Sequence, residues 1–423
     1  MSHKRADVLI IGGGVVGLST ALFATRAGAE VILVERDRIP CGAAYGNAGL
    51  LVPSHCAPLP GPGMLAQGLR AMLSAESALS VNLRAGLIGG GAMEMARWLL
   101  GFRRACTQAR FDAAVEVYRE LAWESFSIHR EFAAGDDADY EFDETGLYHL
   151  YLTSEAFREG QADAESLAAH GILSETISGE ALRDDDPAIG EKVVGAVVNR
   201  PDSRINPARF LQWLADQAEA AGARLLSETE VFGVSGDNGR GRRVLTTRGP
   251  IAADQIVIAA GAWTGAVARM MRSRVPIEGA KGYSLTFPRP ETAPRAPLIL
   301  EDYHVVITPF EQTLRMTGFL ELFGLDGSIP ARRLAQIRKH VPAYLPEMRL
   351  DDPVAVWRGF RPCAPDGLPV VGRLPGAETV WVAGGHATKG LTLGPGAGRR
   401  MSERLGGAPV SKIDRAVDPG RFG

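Results

Sequence analysis

The first forty residues combine short apolar runs with a glycine-rich turn. A largely apolar strand pattern over 7–11 is followed by glycines at 12, 13, 14 and 17, a helical pattern over 15–27 and a second strand pattern over 30–35, whose apolar residues are 31–34. Gly28 follows the helical pattern, where glycine commonly ends a helix. The pattern predicts a strand–turn–helix–strand unit with parallel strands. Lys4 and Arg5 before it mimic a signal peptide, but the glycines interrupt the apolar core that such a peptide needs.

The pattern changes three times beyond residue 40. Residues 40–63 are rich in proline and glycine. So long a coil in a compact domain is usually either functional or disordered, and its small, uncharged residues suggest a segment that wraps a buried ligand. Helical periodicity dominates from about 64 to 134. Further strands are predicted at 140–152, 193–199, 244–247, 255–260, 283–287, 305–309, 314–318 and 379–383, and further helices at 155–170, 206–221, 331–340 and 391–405.

The turn at residues 12–17 carries the strongest chemical signal. Gly12, Gly14 and Gly17 form a G-x-G-x-x-G between a predicted strand and a predicted helix, the arrangement in which a helix N-terminus binds a pyrophosphate. Glu35 ends the second strand, where an acidic residue accepts hydrogen bonds from a ribose and disfavours a 2′-phosphate, although Arg36 lies beside it. The fingerprint does not separate NAD from FAD. The long coil that follows favours FAD, whose isoalloxazine has to be enclosed.

Elements of this dinucleotide-binding type occur at both ends of the chain, with antiparallel-looking strands between them. The simplest architecture is an α/β protein with a discontinuous Rossmann-like FAD-binding domain (1–79, 191–269 and 356–423) and an inserted α+β, mixed-sheet substrate domain (80–190 and 270–355). A length of 423 residues is more than one core usually organises, which agrees with this division.

Composition and charge exclude several classes of protein. The chain is 46% apolar and 22% charged, as in globular proteins, and a net charge of −3 argues against a protein that mainly binds nucleic acid. Four cysteines without a C-x-x-C pair favour a reducing, cytoplasmic compartment, and the eight histidines show no metal-ligand spacing, so no metal site is expected. Beyond the N-terminal run, the stretch 85–102 comes nearest to a membrane span, but it contains Glu94 and Arg97 and is not expected to cross a membrane.

Five segments together indicate a family. They are residues 8–35, the G-N-A-G at 46–49, the A-K-G-Y-S-L-T at 280–286, the W-R-G-F-R-P-C-A-P-D-G-L-P-V-V-G-R at 357–373 and the G-H-A-T-K-G at 385–390. In this order they resemble the FAD-dependent D-amino-acid oxidase superfamily, and most of all the bacterial D-amino-acid dehydrogenases and their hydroxyproline-oxidising relatives. The resemblance covers nearly the whole chain.

The resemblance implies a non-covalent FAD. The position at which some amine oxidases of the superfamily attach flavin through a cysteine corresponds to Gly359, so Cys363 is expected to be a packed residue. Lys389 falls in the turn that lies along the flavin N1–C2=O edge in relatives, where a cation stabilises the reduced flavin. The expected cofactor-binding residues are Gly12, Gly14, Val15, Val16, Gly17, Glu35, Arg36, Asn47, Ala48, Gly49, Leu50, Val231, Ala260, Gly261, Trp263, Gly385, His386, Thr388, Lys389, Gly390 and Leu391.

The resemblance also implies where the substrate binds. Arg361 would hold the substrate carboxylate, because a guanidinium offers two parallel donors; the alternative is a structural arginine paired with Asp366. Tyr283 and Tyr303 match positions of substrate-facing tyrosines, the alternative for each being an aromatic ring packed in a sheet.

Two histidines complete the set of catalytic candidates. His55 and His304 are weaker candidates for a base in the pocket, since a lone histidine in a loop is more often structural.

The function implied is the FAD-dependent oxidative deamination of D-amino acids. Hydride passes from Cα–H to flavin N5, the imine is hydrolysed to a 2-oxo acid and ammonia, and the electrons go to a quinone-type acceptor or a carrier protein. Three alternatives stay open: a D-proline or cis-4-hydroxy-D-proline dehydrogenase, an oxygen-using amine oxidase of the same superfamily, and an NAD-binding dinucleotide protein. Oligomeric state and side-chain preference are not predicted.

A quinone-linked dehydrogenase is expected in the cytoplasm, peripherally at the inner membrane. One apolar cluster flanked by arginines can provide the contact, because such a helix rests at the headgroup boundary. The alternative is that the same residues pack this helix onto the substrate domain. The residues are Met93, Trp98, Leu99, Leu100 and Phe102 beside Arg97, Arg103 and Arg104.

Overall fold

The computed structural model describes residues 4–65, 68, 79–81, 91–236 and 243–423. In chain order the strands are β1 Lys4–Ile11, β2 Val31–Val34, β3 Leu50–Leu51, β4 Leu79–Val81, β5 Leu147–Tyr151, β6 Glu175–Ser178, β7 Gly195–Asn199, β8 Ser203–Arg204, β9 Arg224–Leu226, β10 Val231–Ser235, β11 Arg243–Thr246, β12 Gly249–Ile258, β13 Glu278–Pro288, β14 Leu298–Leu300, β15 Val305–Pro309, β16 Thr313–Leu322, β17 Ala355–Cys363, β18 Val370–Arg373 and β19 Val380–Gly384. The helices are α1 Val15–Arg26, α2 Ala92–Ala105, α3 Gln108–Ala133, α4 Ser154–Ala168, α5 Gly179–Asp185, α6 Pro207–Ala220, α7 Thr264–Met270, α8 Ala331–Lys339, α9 Val341–Tyr344, α10 Gly390–Leu405 and α11 Lys412–Val417. Short 3₁₀ turns cover Gly261–Trp263, Ala387–Lys389 and Pro419–Phe422.

The first sheet has a parallel centre. Its strands run β9-β2-β1-β12-β19, all parallel, with β18 antiparallel on β19 and the hairpin β10–β11 antiparallel on β12. Strand β2 is buried along its whole length, as expected of a strand covered on both faces. Helices α1, α3, α6 and α10 contribute to one core against this sheet. The predicted parallel pairing of the first two strands is confirmed, with Val8 opposite Val31.

The second sheet is mixed and has nine strands. Its main path is β17-β13-β16-β15-β14-β5-β7-β6, with β4 also paired to β16. One face packs with α8 and α9 in a separate core that includes Tyr283, Phe287 and Ile337. From the opposite side, Arg315 Nη1 donates to the carbonyl oxygen of Asn47 at 2.9 Å, which ties the coil at 40–63 to this sheet.

Sheet membership departs from the predicted domain ranges at three places. Strand β7, within the predicted range 191–269, and β17, within 356–423, both belong to the second sheet. Helix α3, within 80–190, packs on the core of the first sheet. The reason is that a strand or helix joins whichever partner covers its apolar face, and that partner is distant in sequence. The division into two domains itself stays a prediction.

Most predicted elements match the structure. The strand predicted at 305–309 coincides with β15, and the helices predicted at 15–27 and 391–405 correspond to α1 and α10. Within the helical stretch predicted at 64–134, residues 66–67, 69–78 and 82–90 lie outside the described residues. In the part of the chain that the structure describes, no helix is long and apolar enough to cross a membrane.

Candidate active site

A cavity of about 790 Å³ lies at the carboxyl ends of the central parallel strands. Gly12 follows β1, Glu35 follows β2, Ala260 comes after β12, and Gly384 ends β19; all four line the cavity. Ligands of open α/β sheets bind at this edge, and the volume suits a large organic molecule.

Three glycines shape the turn at the start of the cavity. Gly12 has a φ of +123°, and a Cβ there would stand 2.3 Å from the carbonyl oxygen of Ala259. A Cβ on Gly17 would stand 1.9 Å from the carbonyl oxygen of Gly12, so glycine allows α1 to approach β1 closely. At Gly14 the nearest atom to a Cβ is the Cys41 carbonyl oxygen at 3.8 Å, which leaves the backbone open toward the cavity. The free N–H groups of α1 therefore face a cradle that fits a pyrophosphate.

The acidic residue after β2 is held by the backbone. Oε2 of Glu35 accepts a hydrogen bond from the backbone N–H of Gly13 at 2.8 Å, and Oε1 accepts one from that of Asp37 at 3.0 Å. Each carboxylate oxygen keeps further lone pairs that a ribose hydroxyl can use. Beside it, the Arg36 guanidinium stacks 4.0 Å over the Trp263 ring, and both residues line the cavity.

Arg361 lies on β17, partly buried in the cavity wall. Its Nη1 donates to the carbonyl oxygen of Phe319 at 2.7 Å, and within the described residues it forms no ion pair with a carboxylate. The alternative partner, Asp366, instead pairs with Arg421 at 2.7 Å and 3.1 Å. Burial lowers the pKa of Arg361 from its usual value. A guanidinium so placed, without a protein carboxylate, is suited to bind the carboxylate of a ligand.

Trp357 forms the wall next to Arg361. Trp357, Gly359 and Arg361 are every second residue along β17, so the side chains of Trp357 and Arg361 project to the same side of the strand. The indole fills the space beside two glycines: a Cβ on Gly359 would stand 2.0 Å from it, and one on Gly46 would stand 2.3 Å from it. A side chain at 359 is therefore excluded.

Cys363 has the packed environment that the sequence predicted. Its side chain is buried, and burial raises the pKa of its thiol to about 12. Its carbonyl oxygen accepts a hydrogen bond from Nε1 of Trp98 at 2.9 Å, which attaches α2 to the end of β17.

The turn before α10 closes the cavity from the other side. His386 is buried, and its Nε2 has no hydrogen-bond partner within the described residues. Burial lowers the pKa of His386 to about 4, so its imidazole is neutral at physiological pH. A buried, unpartnered nitrogen in a cavity wall marks a contact that a ligand completes. Thr388, Gly390 and Leu391 line the same end.

The Lys389 side chain leaves this turn in a different direction. Its ammonium donates to the carbonyl oxygen of Ala57 at 2.8 Å and lies 4.1 Å from the centre of the Tyr118 ring. Burial lowers the pKa of Lys389 to about 8. Lys389 thus binds the 40–63 coil at Ala57, and it is not among the residues that line the cavity.

The two tyrosines predicted to face the substrate also lie away from the cavity lining. Tyr283 is buried in the second sheet, where its hydroxyl donates to Oε2 of Glu321 at 2.7 Å. Tyr303 is 37% exposed and stacks on the His340 ring at 3.6 Å. These positions correspond to the alternative of packed aromatic rings, and a substrate contact stays a prediction for both.

Neither candidate histidine lines the cavity. The side chain of His304 is 70% exposed, in the turn between β14 and β15. His55 is partly buried in the coil, with its Nε2 3.3 Å from Nε2 of His149 on β5.

The cofactor-binding prediction and the cavity lining overlap in most positions. Expected residues that line the cavity are Gly12, Gly14, Val15, Val16, Glu35, Arg36, Asn47, Val231, Ala260, Gly261, Trp263, His386, Thr388, Gly390 and Leu391. Expected residues that lie outside the lining are Gly17, Ala48, Gly49, Leu50, Gly385 and Lys389. Lining residues that the sequence did not single out include Cys41, Gly42, Ala43, Ala44, Thr229, Glu230, Ala266, Met270, Leu325, Arg358, Phe360 and Pro362.

The lining residues that the sequence did not single out differ in how strongly the sequence signals them. Residues 41–44 lie in the coil that was expected to wrap a ligand, and 358, 360 and 362 lie in the segment that carries the family resemblance. Met270 and Leu325 carry no local signal, because α7 and the loop after β16 reach the cavity only through the tertiary fold.

Comparison with known proteins gives one consistent result. The model of the family described as FAD dependent oxidoreductase matches residues 7–404. A D-amino acid dehydrogenase from Cereibacter sphaeroides (strain ATCC 17029 / ATH 2.4.9) is 30% identical over 428 residues, covering 98% of this chain and 96% of that protein. A D-amino acid dehydrogenase from Helicobacter pylori is 27% identical over 396 residues, 93% of each chain.

Two solved structures show the same fold. Glycine oxidase from Geobacillus kaustophilus superposes with a TM-score of 0.78 at 21% identity, covering 100% of this chain and 98% of that one. L-proline dehydrogenase from P. horikoshii superposes with a TM-score of 0.73 at 20% identity, covering 99% and 98%. The α/β class and the FAD-binding type of fold predicted from the sequence are confirmed.

Proposed function

This chain belongs to the family of FAD dependent oxidoreductases, and from that premise we propose that it is a D-amino-acid dehydrogenase. The activity of the family is oxidation of amino or related donors with FAD; the preference for D-amino acids comes from the names of its relatives in Cereibacter sphaeroides and Helicobacter pylori. The observation that carries the proposal is the guanidinium of Arg361 in the cavity wall, which has no carboxylate partner in the part of the chain that the structure describes.

The cavity fits FAD at several points. The open backbone at Gly14 and the N-terminus of α1 suit the pyrophosphate, and Glu35 suits the adenosine ribose. The unpartnered Nε2 of His386 suits a polar atom of the flavin end. Position 359 is a glycine covered by the Trp357 indole, so this chain offers no nucleophile there, which supports the proposal that FAD is held without a covalent bond.

The substrate would bind through its carboxylate and its apolar body. Arg361 binds the carboxylate through charge-assisted hydrogen bonds, and the Trp357 ring limits the space beside it. Contacts on two sides fix the orientation of Cα. A substrate held in this way spends more time in the geometry from which it reacts. When bound, FAD supplies the redox chemistry by accepting the hydride that leaves Cα, and water then hydrolyses the imine to a 2-oxo acid and ammonia.

The acceptor we propose is a quinone in a membrane that the protein contacts through α2. Different residues of this helix support the packing alternative and the membrane alternative. Met95 and Trp98 are buried against the second sheet, whereas Met93 is 62% and Leu100 45% exposed. Arg97, Arg103 and Arg104 are exposed on the same helix, and Glu94 pairs with Arg269. Within the described residues none of these three arginines forms an ion pair, and an exposed apolar row beside such arginines suits an anionic lipid surface.

Flavin bleaching under anaerobic conditions tests the substrate. The purified protein is mixed with a panel of D- and L-amino acids, D-proline and cis-4-hydroxy-D-proline, and the loss of flavin absorbance is followed. We expect D-amino acids to bleach the flavin and their L-enantiomers not to. Bleaching confined to the cyclic imino acids would narrow the function to a proline-type dehydrogenase, and bleaching by L-amino acids alone would contradict the proposal.

The acceptor is tested separately. Turnover is measured as peroxide formed in air and as reduction of a soluble quinone analogue without oxygen. Equal rates would identify an oxidase instead of a dehydrogenase. Binding to vesicles with anionic lipid, compared between wild type and a Met93→Ser, Leu100→Ser double variant, tests the contact through α2.

A further inference from the structure

Helix α10 contains a proline in its second turn. Pro395 has no backbone N–H, so the carbonyl oxygen of Leu391, four residues earlier, lacks the partner that an uninterrupted helix supplies. Leu391 is buried, and a buried carbonyl oxygen without a partner costs free energy. The first turn of α10 is therefore joined to the rest of the helix by fewer hydrogen bonds than usual.

Two buried side chains of α3 make hydrogen bonds to α10 at this interruption. Nε2 of His129 lies 3.0 Å from the carbonyl oxygen of Leu391, and Oγ of Ser125 accepts from the backbone N–H of Gly396 at 2.9 Å. Burial lowers the pKa of His129 to about 4, so the ring is neutral at physiological pH. A carbonyl oxygen only accepts, so the one ring proton of His129 lies on Nε2 and is donated to Leu391.

The same turn of α10 is enclosed on its other sides. A Cβ on Gly394 would stand 2.7 Å from Cγ2 of Val15, so α10 cannot move toward α1. Oγ1 of Thr392 accepts from the backbone N–H of Val52 at 3.1 Å, which joins the turn to the 40–63 coil. A Cβ on Gly396 would stand 2.8 Å from Cβ of Ser125, so glycine is what lets α3 approach closely enough for its hydrogen bonds.

The first turn of α10 belongs to the cavity wall. Gly390 and Leu391 line the cavity, and the residue before the helix makes no capping side-chain hydrogen bond. The first N–H groups of a helix carry partial positive charge. With the pyrophosphate of FAD at α1, its isoalloxazine has the end of the cavity that contains Arg361, His386 and this turn. The isoalloxazine gains negative charge on reduction, so partial positive charge beside it favours the reduced form.

We infer that His129 and Ser125 are positioning residues that hold the first turn of α10 beside the flavin and thereby raise the reduction potential of the bound FAD. The inference rests on the FAD binding of the proposed function. Neither side chain lines the cavity, so both act through α10. Without the His129 donor the Leu391 carbonyl has to find another partner, and the N–H groups of the turn change their distance and direction to the flavin. Electrostatic stabilisation of the reduced form weakens as that distance grows.

The test measures the midpoint potential of the bound FAD by anaerobic reduction with dithionite beside a reference dye. His129→Leu removes the donor, and we expect the reduction equilibrium to become about threefold to tenfold less favourable, the range of a helix-terminus interaction. Tenfold corresponds to about 30 mV for a two-electron couple. Sulfite adds to the flavin and leaves it anionic, so its affinity should fall by a similar factor. Ser125→Ala should shift both quantities in the same direction, and it carries the test where His129→Leu does not fold.

Two rescue variants test whether the hydrogen bond to Leu391 is the cause. His129→Gln keeps a side-chain N–H donor and should recover most of the wild-type potential. Pro395→Ala restores a backbone N–H that can donate to Leu391 within the helix. Added to His129→Leu, it should therefore return the potential toward the wild-type value. If neither rescue raises the potential above that of His129→Leu, the hydrogen bond is not the cause and the inference fails.

Glu124→Gln is the matched control for stability. Glu124 also joins α3 to α10, through Arg399 at 2.7 Å and Arg400 at 2.8 Å, but it does so beyond the proline. This variant should lower Tm and leave the potential and the sulfite affinity unchanged. An equal loss of potential in Glu124→Gln would overturn the inference, as would a wild-type potential in both His129→Leu and Ser125→Ala.

FAD affinity separates two parts of the cofactor. A higher Kd for FAD with an unchanged potential in His129→Leu would place the turn beside a part of FAD that does not change on reduction, and would overturn the inference. These measurements use no amino acid. Failure of every D-amino acid to reduce the flavin would therefore overturn the proposed function alone, whereas a wild-type protein that binds no flavin would overturn both.

Discussion

The Arg361 guanidinium occupies the space directly over Gly282 on the neighbouring strand. Ala280 and Arg361 are paired in the β13–β17 register, and a Cβ on Gly282 would stand 2.0 Å from Nη1 of Arg361. The glycine in the K-G-Y-S segment is therefore what lets the arginine lie flat against the sheet and direct its donors to the cavity.

The Gly282→Ala variant should displace this guanidinium without removing its charge. We expect KM for the amino acid to rise by about tenfold or more, since a carboxylate hydrogen bond is worth roughly 1.5–3 kcal/mol, while FAD content stays that of wild type. Gly233→Ala is the matched control, because a Cβ there would meet only Leu245 at an ordinary 3.6 Å. Equal KM values in both variants would show that Arg361 does not depend on Gly282.

Removing the Arg361 guanidinium should impair turnover more than displacing it does. Arg361→Ala should lower kcat/KM by about 100-fold or more, and Arg361→Lys should recover only part of this because lysine lacks the paired donors. Arg373→Ala, an exposed arginine stacked on Trp381 at the edge of the other sheet, should leave kcat/KM unchanged. If steady-state kinetics give Arg361→Ala the kcat/KM of wild type, Arg361 does not bind the substrate carboxylate.

Glu35 should determine how tightly FAD binds. Its carboxylate holds the turn at Gly13 and faces the cavity, so Glu35→Ala loses both a backbone anchor and a ribose acceptor. We expect Kd for FAD, from quenching of flavin fluorescence by apoprotein, to rise about 10- to 100-fold. Glu30→Ala, which removes an exposed carboxylate at the opposite end of β2, is the comparison. If Glu35→Ala and Glu30→Ala bind FAD with similar Kd values, FAD does not use the Glu35 carboxylate.

Asp202 should make stability fall as pH rises. It is buried against Ser54, and burial raises its pKa to about 7. Between about pH 4 and pH 7 the folded protein keeps a proton that the unfolded chain has released, so this stabilisation is complete below pH 4 and lost as pH rises through 7. Each unit of the shift corresponds to about 1.4 kcal/mol.

Asp202→Asn keeps the hydrogen bonds to Ser54 but does not titrate. Its Tm should therefore change less than that of wild type between about pH 5 and pH 8, measured by thermal unfolding. Asp254→Asn, which removes an exposed ion pair with Arg5, should follow wild type. A wild-type pH dependence in Asp202→Asn would locate the titration in another group.

Local sequence was sufficient for the elements and for the part of the site built at strand ends. Turn glycines, apolar periodicity and helix end signals act within a few residues, so α1, β2, β15 and α10 could be predicted from neighbours alone. Gly12, Gly14 and Glu35 follow from the same short-range geometry, which is why all three were expected in the cavity and line it.

Contacts between distant segments could not be predicted from the sequence. Arg361 and Asp366 are five residues apart, yet Asp366 pairs with Arg421 from the C-terminal turn. His55 lies in a coil, His149 in the middle of β5 and Glu301 just after β14, and more than ninety residues separate the partners of each contact. Short-range patterns decide which residues form a strand, a turn or a helix. Which buried polar groups meet is decided only when the sheets pack, because each must then find a partner wherever the fold brings one within hydrogen-bonding distance.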